Sequence, residues 1–137
     1  MLLDVCLVVY NQSTSRKRVP GHWSIFMGRS DLSKGTVFQA VGSGFHGYQP
    51  EIKRNYDLKN TFRKYTTFSL GQIDDSHLSH LEQLTMSLPG AGTVPNPLDP
   101  FSGENCQGWA KTFIQIVVDQ GLLPSTAVDT LANAPIE

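Results

Sequence analysis

Glu104-Asn105-Cys106-Gln107-Gly108-Trp109-Ala110 opens the strongest helical pattern in the chain. The pattern runs over 104–120 and stops at Gly121, a residue suited to the C-cap. Trp109, Ala110, Phe113, Ile116 and Val117 recur at helical spacing and form its apolar stripe. Cys106 stands in register with Trp109, Ala110 and Phe113, so the thiol is expected to face the rest of the fold. In the first turn of a helix, free backbone N–H groups and the helix dipole favour a negative sulfur. The placement therefore predicts a depressed thiol pKa and a nucleophilic cysteine.

Strand patterns precede this helix. Leu2 to Tyr10 is apolar and β-branched and reads as a buried strand. Gly21 to Gly28 reads as a second, with His22, Ser24 and Phe26 on one face and Trp23, Ile25 and Met27 on the other. Thr36 to Gly42 is its expected hairpin partner, in which Gln39 is a polar residue between Val37 and Val41. Glu51 to Leu58 and Tyr65 to Ile73 complete the strands. Asp74-Asp75-Ser76 supplies N-cap chemistry for a helix carrying Leu78, Leu81, Leu84 (or Thr85) and Leu88, which Pro89-Gly90 ends. A short helix is expected from Pro124-Ser125 to Leu131. The fold class is therefore α+β: an antiparallel sheet of about four to five strands packed against a C-terminal helix that carries the cysteine. Residues 1–137 form one domain, with no repeat and no linker.

The totals exclude several classes. A net charge of −1 recruits neither nucleic acid nor an anionic membrane. The longest apolar run, Val5 to Tyr10, is far short of the roughly 20 residues that span a bilayer, so no membrane anchor is expected. No signal-peptide pattern opens the chain, and two cysteines are not a disulfide framework. A cytoplasmic location is the default expectation. Arg16-Lys17-Arg18 reads as a solvated loop. The glycine-rich stretch 42–48 matches no phosphate-binding motif.

A nucleophilic cysteine needs a base, and the base needs a third group to fix its ring. Of the four histidines, His77 and His80 share a helix start without further ligands, so no metal site is expected; His46 lies in the glycine-rich loop. His22 starts a strand beside Trp23, and Gln39 sits on the adjacent strand. The expected catalytic constellation is Cys106 as nucleophile, His22 as base and Gln39 as orienter. The backbone N–H of Cys106 would help hold an oxyanion. Gln107, Trp109 and Trp23 are expected to contribute to oxyanion or substrate binding. No cofactor is expected.

His22-Trp23-Ser24-Ile25-Phe26, followed by a strand with a polar residue and then Asn105-Cys106-Gln107-Gly108-Trp109-Ala110, resembles the permuted papain-like thiol enzymes. These include lecithin–retinol acyltransferase-like enzymes and PPPDE-type isopeptidases. In NlpC-type peptidases the cysteine helix precedes the strands, whereas here it follows them. More narrowly, Gly35 to Gly42, Lys53 to Asp57, Gly71 to Asp74 and Cys106 to Trp109 resemble motifs of a set of small fungal proteins. The resemblance covers 21–121 and implies a circularly permuted papain-like domain. The acyltransferase-like relatives usually carry a second histidine where Gln39 stands. Glutamine can accept the imidazole N–H but brings no charge to stabilise an imidazolium.

Three functions are consistent with these residues. The first is a thiol-dependent hydrolase or acyltransferase using a Cys–His dyad on an amide, isopeptide, ester or thioester. The second is a non-catalytic binding or scaffold domain of the same fold. The third is a small pathway enzyme, a cyclase or isomerase, that uses the pocket without covalent catalysis. The expected partner is a small-molecule, acyl or peptide substrate. Its identity rests on loops 43–48 and 90–103 and on whether the walls beside Cys106 are apolar or open.

Overall fold

The computed structural model describes residues 1–11, 13, 15–16, 20–43, 47–61, 63–88 and 106–136. Lys17, Arg18, His46, loop 90–103 and the Glu104-Asn105 pair lie outside them. Among the described residues, five strands form one antiparallel sheet: β1 (Leu2–Tyr10), β2 (His22–Gly28), β3 (Gly35–Ser43), β4 (Gly47–Tyr56) and β5 (Tyr65–Asp74), in the order β4-β3-β2-β1-β5. Three α-helices follow among the described residues: α1 (Leu78–Ser87), α2 (Cys106–Asp119) and α3 (Thr126–Asn133). The α+β class with the cysteine-bearing helix after the sheet is as expected.

The unbroken apolar run of β1 has a simple cause. It is an inner strand, paired to β2 and β5, and both its faces are covered. Val5, Leu7 and Val9 point into the larger core, where Trp23, Ile25 and Phe38 meet Leu81, Trp109, Phe113, Val117 and Leu131 from the three helices. Cys6, Val8 and Tyr10 point the other way, into a smaller cluster with Phe26, Val37 and Leu58. Cys6 is thus a buried hydrophobe on the face away from α2. The outer strands turn polar. Glu51, Lys53 and Arg54 lie on β4, and Thr66, Thr67 and Ser69 lie on β5.

Local chemistry sets the remaining geometry. The Asp74 carboxylate accepts the Ser76 N–H at 3.0 Å and starts a 3-10 turn, Asp75–His77, that leads into α1. Gly121, at φ 77°, closes α2: its N–H reaches Val118 O and that of Leu122 reaches Val117 O. The inward stripe of α2 includes Ile114 rather than Ile116; Ile114 is fully buried and Ile116 half-buried. Ile114 lies one turn from Ala110 and beside Phe113, nearer the centre of the stripe. The register of β1 on β5 slips between Val5 and Cys6, opposite Gly71, whose φ of 128° allows the bulge.

Phe26 packs its ring over the backbone of Gly28 and Gly35, where an added Cβ would overlap the ring. Gly35→Ala is expected to cost about 1–3 kcal/mol in urea unfolding. Pairing it with Phe26→Leu should recover part of that loss; an unchanged midpoint in the single variant would show that the ring is free to move aside.

Candidate active site

The β2–β3 register runs from Met27↔Thr36 to Ile25↔Phe38 and goes no further along β2. Beyond it the strands part, and the backbone of 21–23 turns to other partners. Cys106 supplies one of them. Its Sγ receives the Trp23 N–H at 3.5 Å and donates to Gly21 O at 3.8 Å. The sulfur therefore lies against the backbone on either side of His22.

The His22 side chain projects to the face opposite α2. Its ring stacks on Tyr10, with centroids 5.8 Å apart, and its Nε2 lies 2.7 Å from Gln39 Oε1. Gln39 Nε2 in turn donates to Glu51 Oε1 at 2.7 Å. This chain determines the tautomer. A carboxylate only accepts, so Gln39 must turn its NH2 to Glu51 and its oxygen to His22. The imidazole must then carry its proton on Nε2, which leaves the lone pair on Nδ1. Nδ1 has no hydrogen bond among the described residues, and none joins it to Sγ in this conformation.

Burial dominates the electrostatics. It pushes the Cys106 thiol up, against the opposing pull of the backbone N–H groups of Trp23, Gln107 and Cys106. The depressed pKa expected of a helix start is therefore not what the structure supports: dehydrating the thiolate outweighs three amide dipoles. Burial also pushes the His22 pKa down; the bond to Gln39 opposes this, and the charges of Arg63 and Lys53 add to it. Thiol and imidazole are both neutral at rest.

The other expected contributors hold architecture. Trp23 is fully buried and its indole N–H donates to Pro135 O at 3.0 Å. Gln107 Nε2 spends its protons on Gly21 O at 2.9 Å and Ile136 O at 2.8 Å. Gly21 N–H also donates to Ile136 O at 2.8 Å. These bonds bind the segment after α3 to the start of β2 and leave the Gln107 side chain no proton for an oxyanion. Trp109 is buried and stacks on Phe113, with 5.3 Å between centroids. None of the three is presented to a substrate in this conformation.

Glu51 was not foreseen. Its signal was the β3–β4 hairpin, where Gln39 and Glu51 face each other directly. The strand expected over Glu51 to Leu58 runs instead over Gly47–Tyr56, and the pairing of Ser43 with Gly47 sets the register that brings Glu51 opposite Gln39. His80 Nε2 meets Gln120 Oε1 at 2.7 Å, and no cluster of metal-ligating residues occurs among the described residues. No helix among them is long and apolar enough to cross a membrane.

Fold and site together define a class: an α+β protein with a buried thiol behind β2, whose His22 ends a Glu51–Gln39–His22 hydrogen-bond chain that runs across β4, β3 and β2. The chain belongs to a family of unknown function, DUF6540, whose sequence model matches residues 5–124. No curated protein and no solved structure matches it.

Proposed function

We propose that this protein is a thiol-dependent hydrolase or acyltransferase of circularly permuted papain-like architecture, acting on an amide, isopeptide, ester or thioester. The observation that carries this reading is the Glu51–Gln39–His22 relay, with Cys106 Sγ against the Gly21 carbonyl and the Trp23 N–H that flank the same histidine. A histidine locked as the Nε2–H tautomer has one basic nitrogen, Nδ1, and an uncharged orienter suits a base that starts neutral.

The chemistry runs in two stages. In this conformation the thiol lies on the α2 face of β2 and the His22 ring on the other. The first stage therefore requires Sγ to leave Gly21 O and meet Nδ1 at the end of β2 that is not paired to β3. There Nδ1 takes the thiol proton as Sγ attacks the substrate carbonyl carbon. The carbonyl oxygen becomes an oxyanion, held by backbone N–H groups that surround the sulfur at rest, those of Cys106 and Trp23. The tetrahedral adduct collapses, its bond to the leaving group breaks, and Nδ1–H protonates that group. The resulting thioester is then attacked by water or an acceptor, which gives its proton to Nδ1; Sγ departs and recovers the proton. A starting thiol rather than thiolate suits activated carbonyls, esters and thioesters above plain amides.

A binding domain without turnover is the second reading. It is favoured by the raised thiol pKa and the bond that holds the thiol to Gly21 O. Incubation with p-nitrophenyl acetate followed by peptide mapping separates the two. Acetylation is expected on Cys106 and not on Cys6, whose thiol is pushed up to about 12 by burial and the Asp4 charge. Absence of a Cys106 adduct, or equal labelling of both cysteines, would remove the enzyme reading and leave the binding domain.

A further inference from the structure

Beside His22 a cavity of about 390 Å³ opens on the sheet face away from α2, a size suited to one small molecule or one or two residues of a peptide. Its strand floor is Val37, Gln39, Glu51 and Lys53, which the β3–β4 register places together. Tyr10, Tyr48, Tyr56 and Arg63 complete the walls. The His22 imidazole is among the cavity's lining residues, and Cys106 is not.

The charges within it are unevenly satisfied. Glu51 is engaged by Gln39 at 2.7 Å, and its contact with Lys53 Nζ is long, 3.9 Å, with Lys53 half exposed. The Arg63 guanidinium lies 4.1 Å over the Tyr10 ring and has no carboxylate partner among the described residues. Stacking on a ring holds the guanidinium in place while leaving its N–H edge free to bind. Two cations against one carboxylate leave a net charge of about +1, which matches a single monoanion. Tyrosine hydroxyls add neutral donors, since burial keeps Tyr10 and Tyr48 protonated above the ordinary phenol range. An acyl chain here would dehydrate these groups without replacing their hydrogen bonds.

We propose that this cavity binds a monoanionic carboxylate on the substrate, anchored by Arg63 with Lys53, and so selects small carboxylate-bearing amides or esters over fatty acyl groups. As a statement about substrate, this rests on the thiol-enzyme reading; as a statement about binding, it does not.

The test uses the full chain with Cys106→Ala, which removes turnover, labelled with ¹⁵N and titrated with N-acetylglycine. Saturable shifts are expected at the Gln39 side-chain amide and the Tyr48 backbone amide. Adding Arg63→Gln should weaken binding about tenfold, the loss of one charge-assisted contact. Lys53→Gln should weaken it less, and neutral N-acetylglycinamide should not saturate. Both cations are exposed, and an unchanged melting temperature in each variant keeps the comparison valid. Shifts equal for acid and amide, unaltered binding in Arg63→Gln, tighter binding of inorganic phosphate, or no saturation at all would each overturn the proposal. Binding in Cys106→Ala together with no acetylation of the native thiol would instead sink the enzyme reading and leave the carboxylate site standing.

Discussion

Replacing Trp23 with alanine is expected to remove about 3–5 kcal/mol of stability, close to the whole margin of a small domain. The indole is fully buried under the helices. It also holds the segment after α3 through Pro135 O, so its removal leaves a cavity and an unpaired carbonyl together. Trp23→Phe separates the two losses. It keeps most of the volume and should cost about 1–2 kcal/mol beyond the packing change for the lost hydrogen bond. Urea unfolding of both variants, followed by circular dichroism, measures the difference. A Trp23→Ala midpoint within experimental error of wild type would mean that α2 and α3 do not pack on this face of β2.

His22→Ala and Cys106→Ala are each expected to reduce acyl transfer from p-nitrophenyl acetate to the uncatalysed rate. The double variant should be no worse than either, because a nucleophile and its base act as one unit. Full additivity of the two losses would show that the residues act separately. The pH dependence follows from burial. With the thiol raised and the imidazole lowered, alkylation of Cys106 by iodoacetamide should climb through the alkaline range. A thiolate–imidazolium pair would instead react at a plateau from mildly acid pH.

The same shifts bear on stability. His22, lowered in the fold, favours the native state fully above about pH 6.5, and that contribution falls as pH drops toward the folded pKa. Cys106, raised in the fold, favours it fully below about pH 8.5, and that contribution falls as pH rises. Stability should therefore peak between these limits, and the acid slope should flatten in His22→Ala. An acid slope as steep as wild type in that variant would assign it to other groups.

Much of the fold was legible because it rests on local periodicity. The run from Val5 to Tyr10 marked a strand covered on both sides, alternation in 22–28 divided Trp23 from His22, and Gly121 marked the end of α2. The pairing of Gln39 with His22 was also legible, since both stand on adjacent strands and one face. Glu51 was not, because its position depends on a hairpin register that begins at Gly47 and Ser43.

What the sequence determined by itself was the set of chemical groups and the strand or helix on which each sits. Tertiary structure alone decided their state. Whether Cys106 is ionised depends on how much water reaches it, and the sheet, α2 and the segment at 134–136 settle that together from distant parts of the chain. Gln107 reads as an oxyanion donor until the fold brings Gly21 O and Ile136 O to its amide. Local pattern encodes which donors and acceptors a residue offers, whereas desolvation and hydrogen-bond competition depend on everything that packs around it.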